Sequence, residues 1–466
     1  MAEFMRNTDA FTWAMESDPR LRSTIVTVVM LDRSPDWNVV RERFDEISRT
    51  LPMFRQRVVP SPGQAPPRWE YTRDFDLDFH LRRVGAPEPA NFDGVLEMAR
   101  IAQMEAFDPA RPMWQVTLFS GLENGQAALL CKLHHALTDG VGGVQIAMQL
   151  FDLSEKPGAR RMAPPEAPLP PRRAVLGGYR DTLRYNAALA GKVVTTTIKA
   201  APGLMVNGIR HPLSTIGDVT ATAASMYRMA RPVNRPGSPL MTRRRLIRRL
   251  AVLDVPMPQL REAAHRAGGA LNDAFVAGVT GGLRRYHEKH DSPVGDLHVT
   301  MPISVRGESD PMGGNRITLM RFDVPVGVED PVERIKETRK RARAVRDERA
   351  VPYTQLVAGI LNLVPRWYIG SVLRHVDFVA SDVPGVPVPV FLGGARVSKQ
   401  YAFGPTIGAA VNVTLLTYVN TCSLGIDVDT AAIPDFDVFY ECLAAGFDEV
   451  LALGQSESDP AARGPG

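Results

Sequence analysis

Apolar residues recur along this chain with two periods, and the period switches from segment to segment. Residues 23–31 (STIVTVVML) are rich in β-branched side chains and predict a strand, and residues 37–49 carry helical spacing. Residues 113–120 and 126–133 predict two strands joined through Glu123-Asn124-Gly125, because Asn-Gly between apolar runs favours a hairpin turn. Residues 139–153 then read as a helix with Val141, Val144, Met148 and Phe151 on one face.

From 155 to 173 the pattern stops. Pro157, Pro164, Pro165, Pro168, Pro170 and Pro171 exclude a helix and predict an extended, exposed linker. Residues 174–239 mix helical stretches with Gly and Pro breaks and read as a bridge. Beyond it, strands are expected at 246–253, 298–303, 317–324, 376–381, 409–418 and 423–427, with a long helix at 270–286. Asp330-Pro331 opens a charged helix, Asp as N-cap and Pro at the first helical position. Residues 386–392 are extended, but Pro387 and Pro389 confine them to an edge strand or a loop. A last helix, 436–451, lines up Phe436, Phe439, Leu443, Phe447 and Val450. Each half mixes strands and helices, so the expected fold class is α/β with mixed sheets. The expected divisions are 1–155, a linker and bridge at 156–240, 241–455, and a disordered tail at 456–466.

Length supports that division, since 466 residues exceed one ordinary core and suggest two domains of about 200 residues each. The net charge of +4 gives no reason to expect nucleic acid, while a pI near 9.0 suits an anionic lipid surface or a phosphate-bearing substrate. Cys131, Cys422 and Cys442 lie far apart with no CxxC spacing, which reads as reduced thiols in a cytoplasmic protein. The first residues lack a basic segment followed by an apolar one, so no secretory signal is expected. The best membrane-span candidate, 187–209, is interrupted by Lys192, Lys199 and Pro202. Those features together suggest a cytoplasmic chain, soluble or peripheral to a membrane.

Two basic stretches, Arg243-Arg244-Arg245 with Arg248-Arg249 and residues 336–349, read first as solvated surface and second as contacts for a ligand's phosphates or for anionic lipid. His287 and His290 fall one residue short of an H-E-x-x-H zinc motif and read as an exposed helix end, so no metal is expected. No Walker loop, GxGxxG fingerprint or GxSxG elbow occurs.

The segment that carries chemistry is Leu133-His134-His135-Ala136-Leu137-Thr138-Asp139-Gly140, at the end of a strand and the start of a helix. Strand alternation sends His134 and His135 to opposite sides, so one can enter a cleft while the other packs behind it. A positioned imidazole can take the proton of a hydroxyl as that hydroxyl attacks a carbonyl. Asp139 alone would be an ordinary N-cap, but H-H-x-x-x-D-G arises by chance in only about one such chain in a thousand.

This segment resembles the HHxxxDG signature of the bacterial wax ester synthase/diacylglycerol acyltransferase family, part of the wider group of CoA-dependent acyltransferases. Further segments follow in the same order. Asn7-Thr8-Asp9-Ala10-Phe11 resembles the family's opening, and Pro112-Met113-Trp114 its PLW motif with Met for Leu. Leu271-Asn272-Asp273 is similar to its ND motif, and Ser381-Asp382-Val383-Pro384-Gly385 to SNVPGP with Asp at the Asn position. Gly393-Gly394-Ala395-Arg396-Val397 completes the series.

The resemblance implies two chloramphenicol-acetyltransferase-like domains with the active site in a tunnel between them. It implies that His135 is the general base, deprotonating a lipid alcohol that attacks an acyl-CoA thioester. It makes His134 a support and lesser catalytic candidate, and Asp139 a structural residue holding the loop through an arginine. Gly140, with Gly142 and Gly143, lets the helix approach the cleft or pack tightly. Asn272 and Asp273 read equally as helix-start residues, the alternative being that Asn272 orients His135 or polarises the thioester carbonyl. The implied partners are acyl-CoA and a diacylglycerol or fatty alcohol, acyl-CoA being substrate and no cofactor being required. Another alcohol, a carrier-protein donor, or a non-catalytic lipid-surface role on the same scaffold are the competing readings.

Overall fold

A computed structural model describes residues 3–62, 65–156, 177–188, 235–304, 317–347 and 375–455. Residues 157–173 of the expected linker, most of the bridge and the tail at 456–466 lie outside them. The chain opens with strand β1 (Glu3–Phe4), helix α1 (Asn7–Met15), β2 (Thr24–Leu31), α2 (Trp37–Thr50), β3 (Gln56–Val59) and β4 (Arg68–Tyr71). A single turn α3 (Leu77–His80), β5 (Leu81–Gly85) and α4 (Phe92–Met104) follow. The hairpin β6 (Trp114–Ser120) and β7 (Ala127–His134) then leads into α5 (Gly140–Leu150) and a helix α6 at 177–188.

The second half holds β8 (Arg248–Pro256), α7 (Met257–Arg266), α8 (Leu271–Lys289), β9 (Asp296–Ser304), β10 (Ile317–Pro325) and α9 (Pro331–Arg346). It ends with β11 (Phe378–Val383), β12 (Phe391–Leu392), β13 (Ala395–Phe403), β14 (Val411–Tyr418), β15 (Thr421–Asp429) and α10 (Phe436–Gly454).

Local chemistry accounts for most of these boundaries. Asp36 caps α2 by accepting from Asn38 N at 2.9 Å, and Asp330 caps α9 by accepting from Glu333 N at 2.8 Å. Asn124 and Gly125 both take positive φ (58° and 73°), the backbone that lets the β6–β7 chain reverse tightly.

Among the described residues two six-stranded sheets dominate, ordered β12-β13-β2-β7-β6-β5 and β10-β9-β11-β14-β15-β8. A division at residue 241 does not follow them. Strands β12 and β13 come from the second half yet extend the first sheet, Gln400 of β13 lying opposite Val29 of β2. One face of the first sheet (Val26, Val28, Met30, Tyr401, Phe403) packs under Val95, Leu96 and Ala99 of α4. Its other face meets α2 through Val40, Phe44 and Ile47, and α5 through Ile146 and Leu150. The second sheet is covered by α8 and α10, with Phe275, Leu283, Phe439 and Phe447 fully buried on it. Burying each such side chain contributes about 1.5–3 kcal/mol. Gln103 of α4 ties the two sheets together, donating to Gly404 O (2.9 Å) and to Asp427 Oδ2 (3.1 Å).

Several expectations change. Met148 is exposed, while Phe151 is buried as expected and α5 also buries Ile146 and Leu150 against the sheet. His287 is buried rather than solvated, because α8 continues to Lys289 and seats the ring 2.7 Å from Ser238 Oγ. The first basic stretch is divided: Arg248 is buried against Asp427 (2.7 Å), while Arg249 pairs at the surface with Asp437 (2.9 Å). The second is the solvated face expected, Lys336, Lys340 and Arg341 pairing with Glu333 and Glu337 on their own helix. Helices α1, α4 and α7 and strand β13 were not expected from the pattern. No helix of the described residues is long and apolar enough to cross a membrane.

Candidate active site

A cavity of about 210 Å³ lies between the sheets. Its floor is one face of the first sheet, read off by strand alternation: Ile25, Thr27 and Val29 of β2, Cys131 and Leu133 of β7, Trp114 and Val116 of β6, and Gln400 and Ala402 of β13. Helix α5 covers it through Gly143, Ile146 and Leu150, and the second sheet closes it through Ser381, Asp382, Val383 and Thr414. The lining is largely apolar, which suits alkyl chains. His135 N bonds Ser23 O (2.8 Å) at one end, and Gln400 pairs with Val29 six residues along β2, so the floor runs for about 20 Å.

The two histidines part as alternation requires. His134, the last residue of β7, is fully buried; its N–H donates to Met113 O (3.0 Å) and its Nδ1 accepts from Ala136 N (3.0 Å). With Nδ1 an acceptor, the proton sits on Nε2, 3.3 Å from Glu16 Oε1 and too oblique for a full hydrogen bond. Burial pushes the Glu16 carboxyl up, but His134 and the Ser23 N–H outweigh it and hold it below the usual range. His134 therefore braces the loop from behind.

His135 lines the cavity. Burial, only partly offset by Asp139, lowers its pKa to about 4, so the ring is a neutral base at pH 7. Its Nδ1 is buried with no hydrogen-bond partner among the described residues.

Asp139 caps α5, its Oδ1 accepting from Gly142 N at 2.7 Å and its carbonyl from Gly143 N at 2.8 Å. Gly140 is held against the second sheet: a Cβ there would lie 3.0 Å from Val383 Cγ2 and 3.2 Å from Val383 Cγ1. The histidine loop and the Ser381-Asp382-Val383-Pro384-Gly385 segment thus meet at one contact. Pro112-Met113-Trp114 supports the floor, the Trp114 indole donating to Phe54 O at 2.8 Å.

Asn272 and Asp273 are not brought to the cavity wall. They lie on the first turn of α8, where Asp273 Oδ2 accepts from Ala270 N (2.8 Å) as a helix-start contact. Asn272 Oδ1 is buried with no hydrogen-bond partner among the described residues.

Glu16 and Gln400 have no counterpart in the sequence reading. Glu16 follows the opening segment that resembled the family, which was its one available signal. Gln400 is 5% exposed and its Nε2 has no partner among the described residues, a polar group in an apolar floor.

Comparisons with known proteins give the family and the fold. Residues 5–275 match a model for the wax ester synthase/diacylglycerol acyltransferase catalytic domain, and residues 313–450 match the WS/DGAT C-terminal domain. A putative diacylglycerol O-acyltransferase of Mycobacterium tuberculosis is 37% identical over 455 residues, covering 94% of this chain and 89% of that protein. The solved wax ester synthase/diacylglycerol acyltransferase from Marinobacter aquaeolei VT8 superposes with a TM-score of 0.63 at 20% identity, covering 97% of this chain and 100% of that one. A starter condensation domain of rhizomide synthetase, solved with C8-CoA, superposes at 0.61 with 11% identity, covering 97% and 95%. The two structures speak for the fold, α/β with two chloramphenicol-acetyltransferase-like halves.

Proposed function

Because the chain belongs to the wax ester synthase/diacylglycerol acyltransferase family and is an acyltransferase, we propose that it esterifies a diacylglycerol or long-chain fatty alcohol from a long-chain acyl-CoA, with His135 as general base. The observation that carries this reading is a neutral imidazole on the wall of an apolar cavity between two sheets.

Neutral His135 takes the hydroxyl proton as the alcohol oxygen bonds to the thioester carbonyl carbon. The tetrahedral intermediate collapses, the C–S bond breaks, and CoA leaves with the proton returned by His135. The acyl-CoA is substrate, no covalent enzyme intermediate forms, and no cofactor takes part. Asp139 and Gly140 fix the loop that presents His135, and His134 with Glu16 supports it from below. Asn272 and Asp273 act through the start of α8 and not on the reacting atoms. The substrates are lipids, so we place the protein in the cytoplasm against a membrane or droplet surface. Exposed Leu246 and Ile247, beside Arg243, Arg245 and Arg249, suit such contact.

The test is CoA release from palmitoyl-CoA with hexadecanol or dioleoylglycerol. Acceptor-dependent release that disappears in His135→Ala supports the reading, and the better acceptor fixes the preference. Release that survives the substitution sinks the assignment of the base.

A further inference from the structure

At the end of the cavity floor remote from His135 stands an amide side chain that the scheme above does not use. Strand register fixes its direction. Gln400 lies opposite Val29, which lines the cavity, while its neighbour Tyr401 lies opposite Val28 on the face packed under α4. Gln400 is 5% exposed, and its Nε2 finds no hydrogen-bond partner among the described residues, not even Thr27, two residues from Val29 on the same face. Val29, Phe44, Leu150 and Phe151 line the same cavity and are apolar.

An unbonded amide nitrogen is unfavourable in such a lining, and an apolar side chain would fill the place without that penalty. A ligand that completes the missing hydrogen bond gives the amide a physical reason to be there. An amide both donates and accepts, so its match is a hydroxyl or another oxygen function. The pantetheine arm of CoA is polar along most of its length, whereas the named neighbours of Gln400 are apolar. The segment passing Gln400 is therefore a hydrocarbon chain with an oxygen at one point. Distance says which point. The floor from His135 to Gln400 runs about 20 Å. A zigzag carbon chain advances about 1.25 Å per bond and the glutamine side chain reaches about 5 Å, so the amide faces roughly carbons 12 to 16.

We propose that Gln400 is a specificity-determining residue that hydrogen-bonds an oxygen function on the hydrocarbon chain of a substrate, about 12 to 16 carbons from the reacting group. The favoured substrates are then long chains hydroxylated toward their far end. The chain belongs to the acyl donor or to the alcohol; the chemistry is the same, and the two arms of the test separate them. The proposal rests on the acyltransferase reading and narrows its substrate class.

The experiment measures kcat/KM in the wild type, Gln400→Leu and Gln400→Met. The donor arm compares 12-hydroxyoctadecanoyl-CoA with octadecanoyl-CoA, and 16-hydroxyhexadecanoyl-CoA with palmitoyl-CoA, using whichever of hexadecanol and dioleoylglycerol is turned over. The acceptor arm compares octadecane-1,12-diol with 1-octadecanol, using palmitoyl-CoA. Each ratio is taken within one preparation, so loss of folded enzyme cancels. The wild type is expected to favour the hydroxylated chain in at least one arm by about 5–10-fold, the effect of one neutral hydrogen bond. That arm names the substrate. Both variants bring the ratio to one or below. Gln400→Met, nearly the same shape, is expected to melt at or above the wild-type temperature, because it removes an unbonded buried amide. No preference in either arm overturns the proposal. So does a preference unchanged in both variants, the result if the amide served the CoA arm, and so does a clear fall in the melting temperature of Gln400→Met. In each of these cases the acyltransferase reading stands. Absence of CoA release with every pair overturns both.

Discussion

The two large sheets are each covered by helices but filled differently. On the second sheet, Phe275, Leu283, Phe439 and Phe447 of α8 and α10 close the covered face completely. On the first sheet α4 seals one face in the same way, but the face under α2 and α5 keeps a cavity of about 210 Å³. Protein interiors pack densely by default, so a face left open must be held open. Here the loop from His134 to Gly140 holds it, fixed by the Asp139 cap, the His134 contacts and the touch of Gly140 on Val383. One sheet supplies stability; the other supplies the chamber and the imidazole proposed as the base.

Substitutions that probe the two faces should separate these roles. Phe447→Ala, in the filled interface, is expected to cost about 3–5 kcal/mol, the range for removing a buried ring. Ile25→Ala, on the cavity floor, should cost about 2 kcal/mol, since one side of that residue already borders space. Urea denaturation of both variants checks the difference. Equal losses would mean that the cavity face is packed as tightly as the other.

Gly140→Ala sharpens the comparison at the contact between the sheets. Its new methyl must push Val383 or the loop away by a few tenths of an ångström, and small displacements of catalytic groups are expensive. Activity is expected to fall about 10–100-fold with about 1 kcal/mol lost in stability, and Val383→Ala in the same chain should restore part of it. An active Gly140→Ala enzyme would show that the loop has slack.

The smallest effect is on pH dependence. With the His135 pKa depressed to about 4, its basic form persists until pH falls through that value, so the acid limb of kcat/KM should lie near 4, below the 6.5 of a free imidazole. The stability sign is the same. Below pH 6.5 the unfolded chain takes up a proton that folded His135 refuses, so folding weakens as pH drops toward 4. His135→Ala should remove that share of the acid sensitivity in thermal melts.

Much of this was legible in the chain. Strands β2, β6, β7, β14 and β15 and helices α2, α8, α9 and α10 follow from period and capping, and His135 from a motif at a strand end. Strand β13 was not, because its register shifts between Val397 and Lys399, and exposed Ser398 and Lys399 break the alternation. In α5, Val141 and Met148 are seven apart and look like one stripe, yet the sheet lies toward Ile146 and Leu150. Glu16 beneath His134 and Gln400 opposite Val29 are products of long-range pairing. Local pattern carries no information about such partners.

The central claim is that His135 is the base in the open face of the first sheet. Its most direct test is acceptor-dependent CoA release by folded His135→Ala, with and without added imidazole. The account predicts a loss of about 10²–10⁴-fold, partly restored by imidazole diffusing into the cavity. A variant that turns over at the wild-type rate without imidazole would contradict it.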